Sequence, residues 1–114
     1  MLESSVFTRI INRELPAEIL FENERIIVIR NIAPHAPVHL LGITKRPYVS
    51  LHELLQDPNG QELLWELMHE LSNLAVSEGV ADSGYKLTSN VGENGGQSVP
   101  HLHVHLLGGK KLQE

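Results

Sequence analysis

Apolar residues along this chain fall into short blocks whose spacing switches between about 3.6 and 2 residues. Val6, Phe7, Ile10 and Ile11 recur at helical spacing behind Ser4 and Ser5, either of which can cap a short helix, and Leu15-Pro16 ends it. Residues 17–21 read as a strand, Glu22-Asn23-Glu24 as a turn and residues 25–30 as a β-branched second strand, so a hairpin is expected. Pro34 and Pro37 bracket a loop, and the apolar run 38–44 has the character of a buried strand. The strongest periodicity runs through Leu63, Leu64, Leu67, Met68, Leu71, Leu74 and Ala75. It predicts a long helix that starts at Asp57-Pro58, with Asp at the cap and Pro at the first helical position, and stops at Gly79. Its leucines are assigned to the core, because a small domain needs that face for itself. Residues 85–89 alternate as a strand, residues 90–99 form a polar, Gly-rich loop, and alternation resumes after Pro100. Strands on both sides of a central helix, joined by hairpin-like connections, predict an α+β fold with an antiparallel sheet.

Composition narrows the function classes. A length of 114 residues fits a single domain spanning 1–114 that buries its own core. Lys and Arg number 9 against 14 Asp and Glu, a net charge of 9 − 14 = −5. So acidic a chain lacks the basic face that grips a nucleic-acid polymer, although a few directed donors suffice for a nucleotide. There is no cysteine, which rules out disulfides, thiolate metal sites and a Cys nucleophile, and fits a reducing compartment. The first residues lack the basic and apolar run of a secretory signal, and no apolar stretch nears the roughly 20 residues that span a bilayer. A cytoplasmic protein without a membrane partner is expected.

The chemistry concentrates in His101-Leu102-His103-Val104-His105-Leu106-Leu107-Gly108-Gly109, where three of the seven histidines fall within five residues. On a strand, period two aims all three imidazoles one way and Leu102, Val104 and Leu106 into a core. Three readings compete. The histidines form the polar face of a half-buried strand; or they bind a metal such as zinc, with His39 as a fourth ligand; or one of them attacks phosphorus. Neutral imidazole is a good nucleophile near pH 7, provided its other nitrogen is protonated and held, for instance by a strand carbonyl. His103 has a same-face neighbour on each side to donate to phosphate oxygens or to a leaving group. The preceding loop, residues 90–98, offers backbone N–H groups of Gly92, Gly95 and Gly96, with Gln97 and Ser98 as polar arms, a composition suited to phosphate.

The histidine run resembles the signature of the histidine-triad (HIT) superfamily. Gly95-Gly96-Gln97-Ser98-Val99, Gly108-Gly109, the N-terminal stretch 7–17 and residues 31–39 (Asn31 to His39) are similar to its Hint branch. The resemblance implies a HIT-like fold: a five-stranded antiparallel sheet with a long central helix and a short N-terminal helix. It implies a homodimer that binds purine nucleotides and hydrolyses nucleoside phosphoramidates, such as AMP or GMP joined to an amine, without cofactor or metal. His103 would become nucleotidylated, with His101 and His105 as triad partners and His39 nearby. Asn90, Gly96, Gln97 and Ser98, with Val99 beside them, would surround the phosphate. Phe7, Ile10, Ile29, Ile32 and Leu41 would line the nucleoside pocket, although ordinary core packing explains these five nearly as well. Asn31 stands where the family usually has an Asp that accepts from the ribose hydroxyls, so a weaker ribose contact is implied. The alternatives are a non-catalytic nucleotide- or zinc-binding adaptor and a dinucleoside polyphosphate hydrolase.

Overall fold

The structure, a computed structural model, describes residues 5–114. Ser4, the other candidate cap, lies outside the described residues. The elements in chain order are α1 (Val6–Ile11), β1 (Ile19–Glu22), β2 (Ile26–Arg30), β3 (Val38–Thr44), α2 (Leu51–Gln56), α3 (Gln61–Ser77), β4 (Tyr85–Thr88) and β5 (His103–Gly108). The five strands form one antiparallel sheet in the order β1-β2-β3-β5-β4. This is the expected α+β architecture, with the hairpin β1–β2 at one edge and a bulge between Ile19 and Phe21.

The sheet is covered differently on its two faces. Helix α3 buries Leu67, Leu71 and Ala75, four residues apart, against Ile26, Val28, Leu40, Val104 and Leu106. Each such leucine, isoleucine or valine withdrawn from water contributes roughly 1.5–3 kcal/mol, and this face holds the largest of three apolar clusters. Gly42 is the point of closest approach. A Cβ there would lie 2.9 Å from Leu71 Cδ1 and 3.0 Å from Leu67 Cδ1, so β3 carries glycine where the helix crosses it. The opposite face holds Ile27, Ile29, Leu41 and Ile43, capped by Phe7 and Ile10 of α1. Among the described residues, no helix is long and apolar enough to cross a membrane.

Two elements differ from expectation: the short helix α2 is not among the expected elements, and α3 starts later than expected. Asp57-Pro58 does not start the long helix; Asp57 ends α2, and α3 begins after Gly60. The carboxylate expected to cap a helix instead accepts from Tyr48 Oη at 2.6 Å and from the Asn59 N–H at 2.9 Å. The Asp57 carbonyl accepts from the Gly60 N–H, so residues 57–60 make a turn. Leu54 of α2 packs with Tyr48 and Leu102 in a third apolar cluster, under the segment that leads into β5.

Candidate functional site

The register of β3 against β5 places the histidines. His39 lies opposite Leu107, Leu41 opposite His105 and Ile43 opposite His103. Period two therefore puts His39, His103 and His105 on the α1 face, while Val104 and Leu106 face α3. His101 precedes the ladder: its N–H bonds the Val99 carbonyl, and Leu102 N–H bonds the Tyr48 carbonyl. Its ring still lies on the same side, because Phe7 packs edge-on against both His101 and His103, at 6.0 and 4.9 Å.

Hydrogen bonds assign the ring protons. His103 Nδ1 stands 2.8 Å from the His101 carbonyl, which can only accept, so in the neutral ring Nε2 keeps its lone pair. The backbone N–H of His35 donates to His39 Nδ1 at 3.1 Å. The proton of neutral His39 then sits on Nε2 and is donated to His105 Nδ1 at 2.9 Å. His105 consequently carries its own proton on Nε2, as a donor. His101 is bonded at both ring nitrogens, to Ser5 Oγ at 2.8 Å and to the Thr44 carbonyl at 2.7 Å. A metal would have to break these pairings, and among the described residues no three His, Asp or Glu side chains converge as a metal site requires.

Burial favours the neutral form of His39, His101 and His105. His105 is pushed down to about 4, chiefly by burial and then by the charges that His103, His39 and His35 carry when protonated. Burial also lowers His39 and His101. A folded value below the unfolded one of about 6.5 means that the unfolded chain binds more protons between the two. The His105 contribution to stability is thus fully present above about pH 6.5 and is lost as the pH falls toward 4. Thermal melts from about pH 7.5 to pH 4.5 should show Tm falling, with a shallower fall for His105→Asn. Equal slopes for the two proteins would remove His105 as a cause.

The loop 90–99 is built differently from the expected cradle. The N–H groups of Gly95, Gly96 and Gln97 bond carbonyls of Gly92, Glu93 and Gly92, and the Gly92 N–H bonds Gln97 Oε1. Gln97 Nε2 donates to the carbonyls of Val49 and Val99, at 2.6 and 2.8 Å, and Asn90 Nδ2 donates to the Gly95 carbonyl. The glycine amides are therefore spent within the loop, and the Gln97 arm is spent partly there and partly on Val49, because so tight a turn satisfies its own donors first. Gly96 takes φ +81°, the left-handed conformation that favours glycine. The Ser98 side chain and the N–H groups of Ser98 and Val99 have no protein partner among the described residues, so these donors are unspent.

Of the expected pocket residues, Phe7, Ile10, Ile29 and Leu41 come together as one cluster with Val99 against it. Ile32 stands apart, 94% exposed. Asn31 uses Oδ1 to accept from the Ala33 N–H at 3.0 Å and sets Nδ2 beside the His39 ring. A cavity of about 720 Å³ is lined by residues including Arg25, Arg46, Tyr48, Glu62 and Trp65, and by none of the histidines. Its arginines are already paired with Glu66 and Asp57. Ser5, Thr8, Thr44 and His35, which hold the histidine rings, had no signal in the sequence beyond the helix-cap pattern of Ser5.

Known proteins resemble this chain over nearly its whole length. A family model described as the HIT domain matches residues 12–112. An uncharacterised HIT-like protein of Synechococcus elongatus is 43% identical over 98% of this chain and 96% of its own length. The purine nucleoside phosphoramidase of Escherichia coli is 34% identical over 98% of this chain and 92% of its own length. A solved HIT family hydrolase from Clostridium thermocellum superposes with a TM-score of 0.92 at 40% identity, covering 100% of this chain and 97% of its own.

Proposed function

The chain belongs to the HIT domain family, and from that premise we propose that it hydrolyses the P–N bond of purine nucleoside phosphoramidates, AMP or GMP joined to an amine, through a nucleotidylated His103. The observation that carries this reading is the 2.8 Å bond from His103 Nδ1–H to the His101 carbonyl, which leaves Nε2 as the free lone pair. In the proposed reaction Nε2 attacks phosphorus in line with the amine. The P–N bond breaks with its electron pair going to nitrogen, which is protonated as it departs. His105 Nε2–H donates to the phosphoryl oxygens or to the departing nitrogen, and His39 holds it in that tautomer. Ser98 and its backbone N–H receive the remaining phosphate charge, each well-aimed donor contributing roughly 3 kcal/mol to the transition state. Water then displaces His103 and the nucleoside monophosphate leaves. The base is assigned to the apolar side formed by Phe7, Ile10, Ile29 and Leu41, with exposed Ile32 flanking it, and the ribose to Asn31.

We also propose that the working form is a homodimer. Strand β4 is an open edge of the sheet, and beside it Leu51, Leu55, Leu64, Met68 and Leu87 line an apolar groove. A second copy is the occupant that joins the edge to this groove.

One experiment tests the reading: purified protein incubated with an AMP-amine phosphoramidate and, separately, with a diadenosine polyphosphate, each with and without exhaustive chelation. Faster cleavage of the phosphoramidate, unaffected by chelation, is expected, from a species sedimenting at twice the 12.7 kDa of one chain. Faster cleavage of the diadenosine compound would reassign the substrate. Nucleotide binding without any turnover would make the protein an adaptor.

A further inference from the structure

Helix α1 reaches the histidines through one polar cluster. Ser5, the N-cap of α1, accepts from the Thr8 N–H at 3.1 Å, so its own proton points outward. Ser5 Oγ lies 2.8 Å from His101 Nδ1, and Thr8 Oγ1 lies 3.2 Å from Ser5 Oγ and 3.3 Å from the same nitrogen. On the far side of the ring, His101 Nε2 can only donate to the Thr44 carbonyl, which leaves Nδ1 as a bare lone pair inside the protein. The ring is 1% exposed, so no bulk water can satisfy that lone pair. The two hydroxyls are its donors.

We propose that Ser5 and Thr8 are positioning residues for the nucleophile: their hydroxyls lock the tautomer and rotation of His101, whose carbonyl in turn aims His103. The three remaining polar groups of His101 are engaged as well, its N–H with the Val99 carbonyl, its carbonyl with His103 Nδ1 and Nε2 with Thr44. The Nδ1 bond is the one that fails without α1. A ring with an unsatisfied buried nitrogen turns or draws in water, and its peptide group follows. The consequence at phosphorus is a misdirected Nε2, and small displacements of a reacting atom are costly. This assigns a chemical task to a helix that otherwise presents only Phe7 and Ile10 to the pocket.

The proposal rests on the phosphoramidase reading for its kinetic arm only. That arm compares Ser5→Ala, Thr8→Val and the double variant on an AMP-amine phosphoramidate. Each single change leaves one hydroxyl and should lower kcat about twofold to threefold, whereas the double change should lower it by on the order of tenfold or more. KM should stay within about twofold, and Ser5→Thr should keep wild-type kcat. The second arm reads His101 directly, by imidazole nitrogen NMR of labelled protein without substrate. The wild type should show the Nε2-protonated tautomer and the double variant a mixture. If wild-type protein has no turnover, the phosphoramidase reading fails, while the NMR arm still decides this proposal. A folded double variant with unchanged kcat and unchanged tautomer would overturn it, as would a rise in KM alone, which would make α1 only a wall of the base pocket. If the double variant does not fold, the single variants decide on the same readouts: loss of kcat in both supports the proposal, and wild-type behaviour in both overturns it.

Discussion

His103→Ala is expected to abolish phosphoramidate turnover, by on the order of 10⁴-fold or more, while AMP still binds. The asymmetry follows from the geometry. On the proposed reading phosphorus meets Nε2 of His103, whereas the base and phosphate are assigned to groups on other elements: Phe7 and Ile10 on α1, Ile29 and Leu41 on the sheet, and Ser98 in the loop. Removing the imidazole deletes the covalent step and leaves those contacts. The ring is 4% exposed and packs 4.9 Å from Phe7, so alanine also opens a hole, and a Tm lowered by several degrees should accompany the change. Calorimetric titration with AMP separates the two effects. Retained binding with lost turnover fits a nucleophile, whereas a variant that turns over at the wild-type rate would remove His103 from that role.

Gly95→Ala should lower kcat/KM by on the order of 10²-fold and move Tm by only a few degrees. A Cβ at this position would sit 2.2 Å from the Val91 carbonyl oxygen and 3.1 Å from its carbon, an overlap with backbone that no rotamer relieves. The loop must therefore open, and its opening reaches the histidines by a short route. Gln97 Nε2 and the His101 N–H share the Val99 carbonyl, so the loop and the histidine strand are joined at one oxygen. The loop is exposed and carries little of the core, which keeps the stability effect small. Gly92→Ala is the control: φ is +72° there, but a Cβ would meet no atom within 4 Å, so only backbone strain of roughly 1–2 kcal/mol arises. Equal losses in the two variants would mean that the loop tolerates no distortion of any kind and that the Val91 contact is not the cause.

What could be read in the sequence was whatever depended on neighbours along the chain. Residues 38–44 match β3 because an apolar run bounded by Pro37 and a charged pair reads as a strand buried on both sides. The alternation of residues 102–107 carried β5 and the shared direction of its histidines, and Gly79, at φ +77°, does terminate the long helix. What stayed hidden depended on partners distant in sequence. Asp57 looks like a helix cap until Tyr48 claims its carboxylate. The glycines of the loop look like a phosphate cradle until the turn closes on its own amides. The lock on His101 joins residues 96 apart, and a serine at a helix start carries no sign of it. Ile32 has the same apolar character as Ile29, yet one is 94% and the other 4% exposed, because only Ile29 lies in the ladder.

The alternation along β5 also ties activity to assembly. A slip of one residue against β3 would turn Val104 and Leu106 away from α3 and drive His103 and His105 into the apolar layer beneath that helix. Both errors are expensive, so no half-correct, partly active arrangement of this strand is stable. Under the proposed activity turnover reports the fraction of molecules folded in the right register, and through conditions that loosen the sheet the fall in activity should track the fall in native fraction.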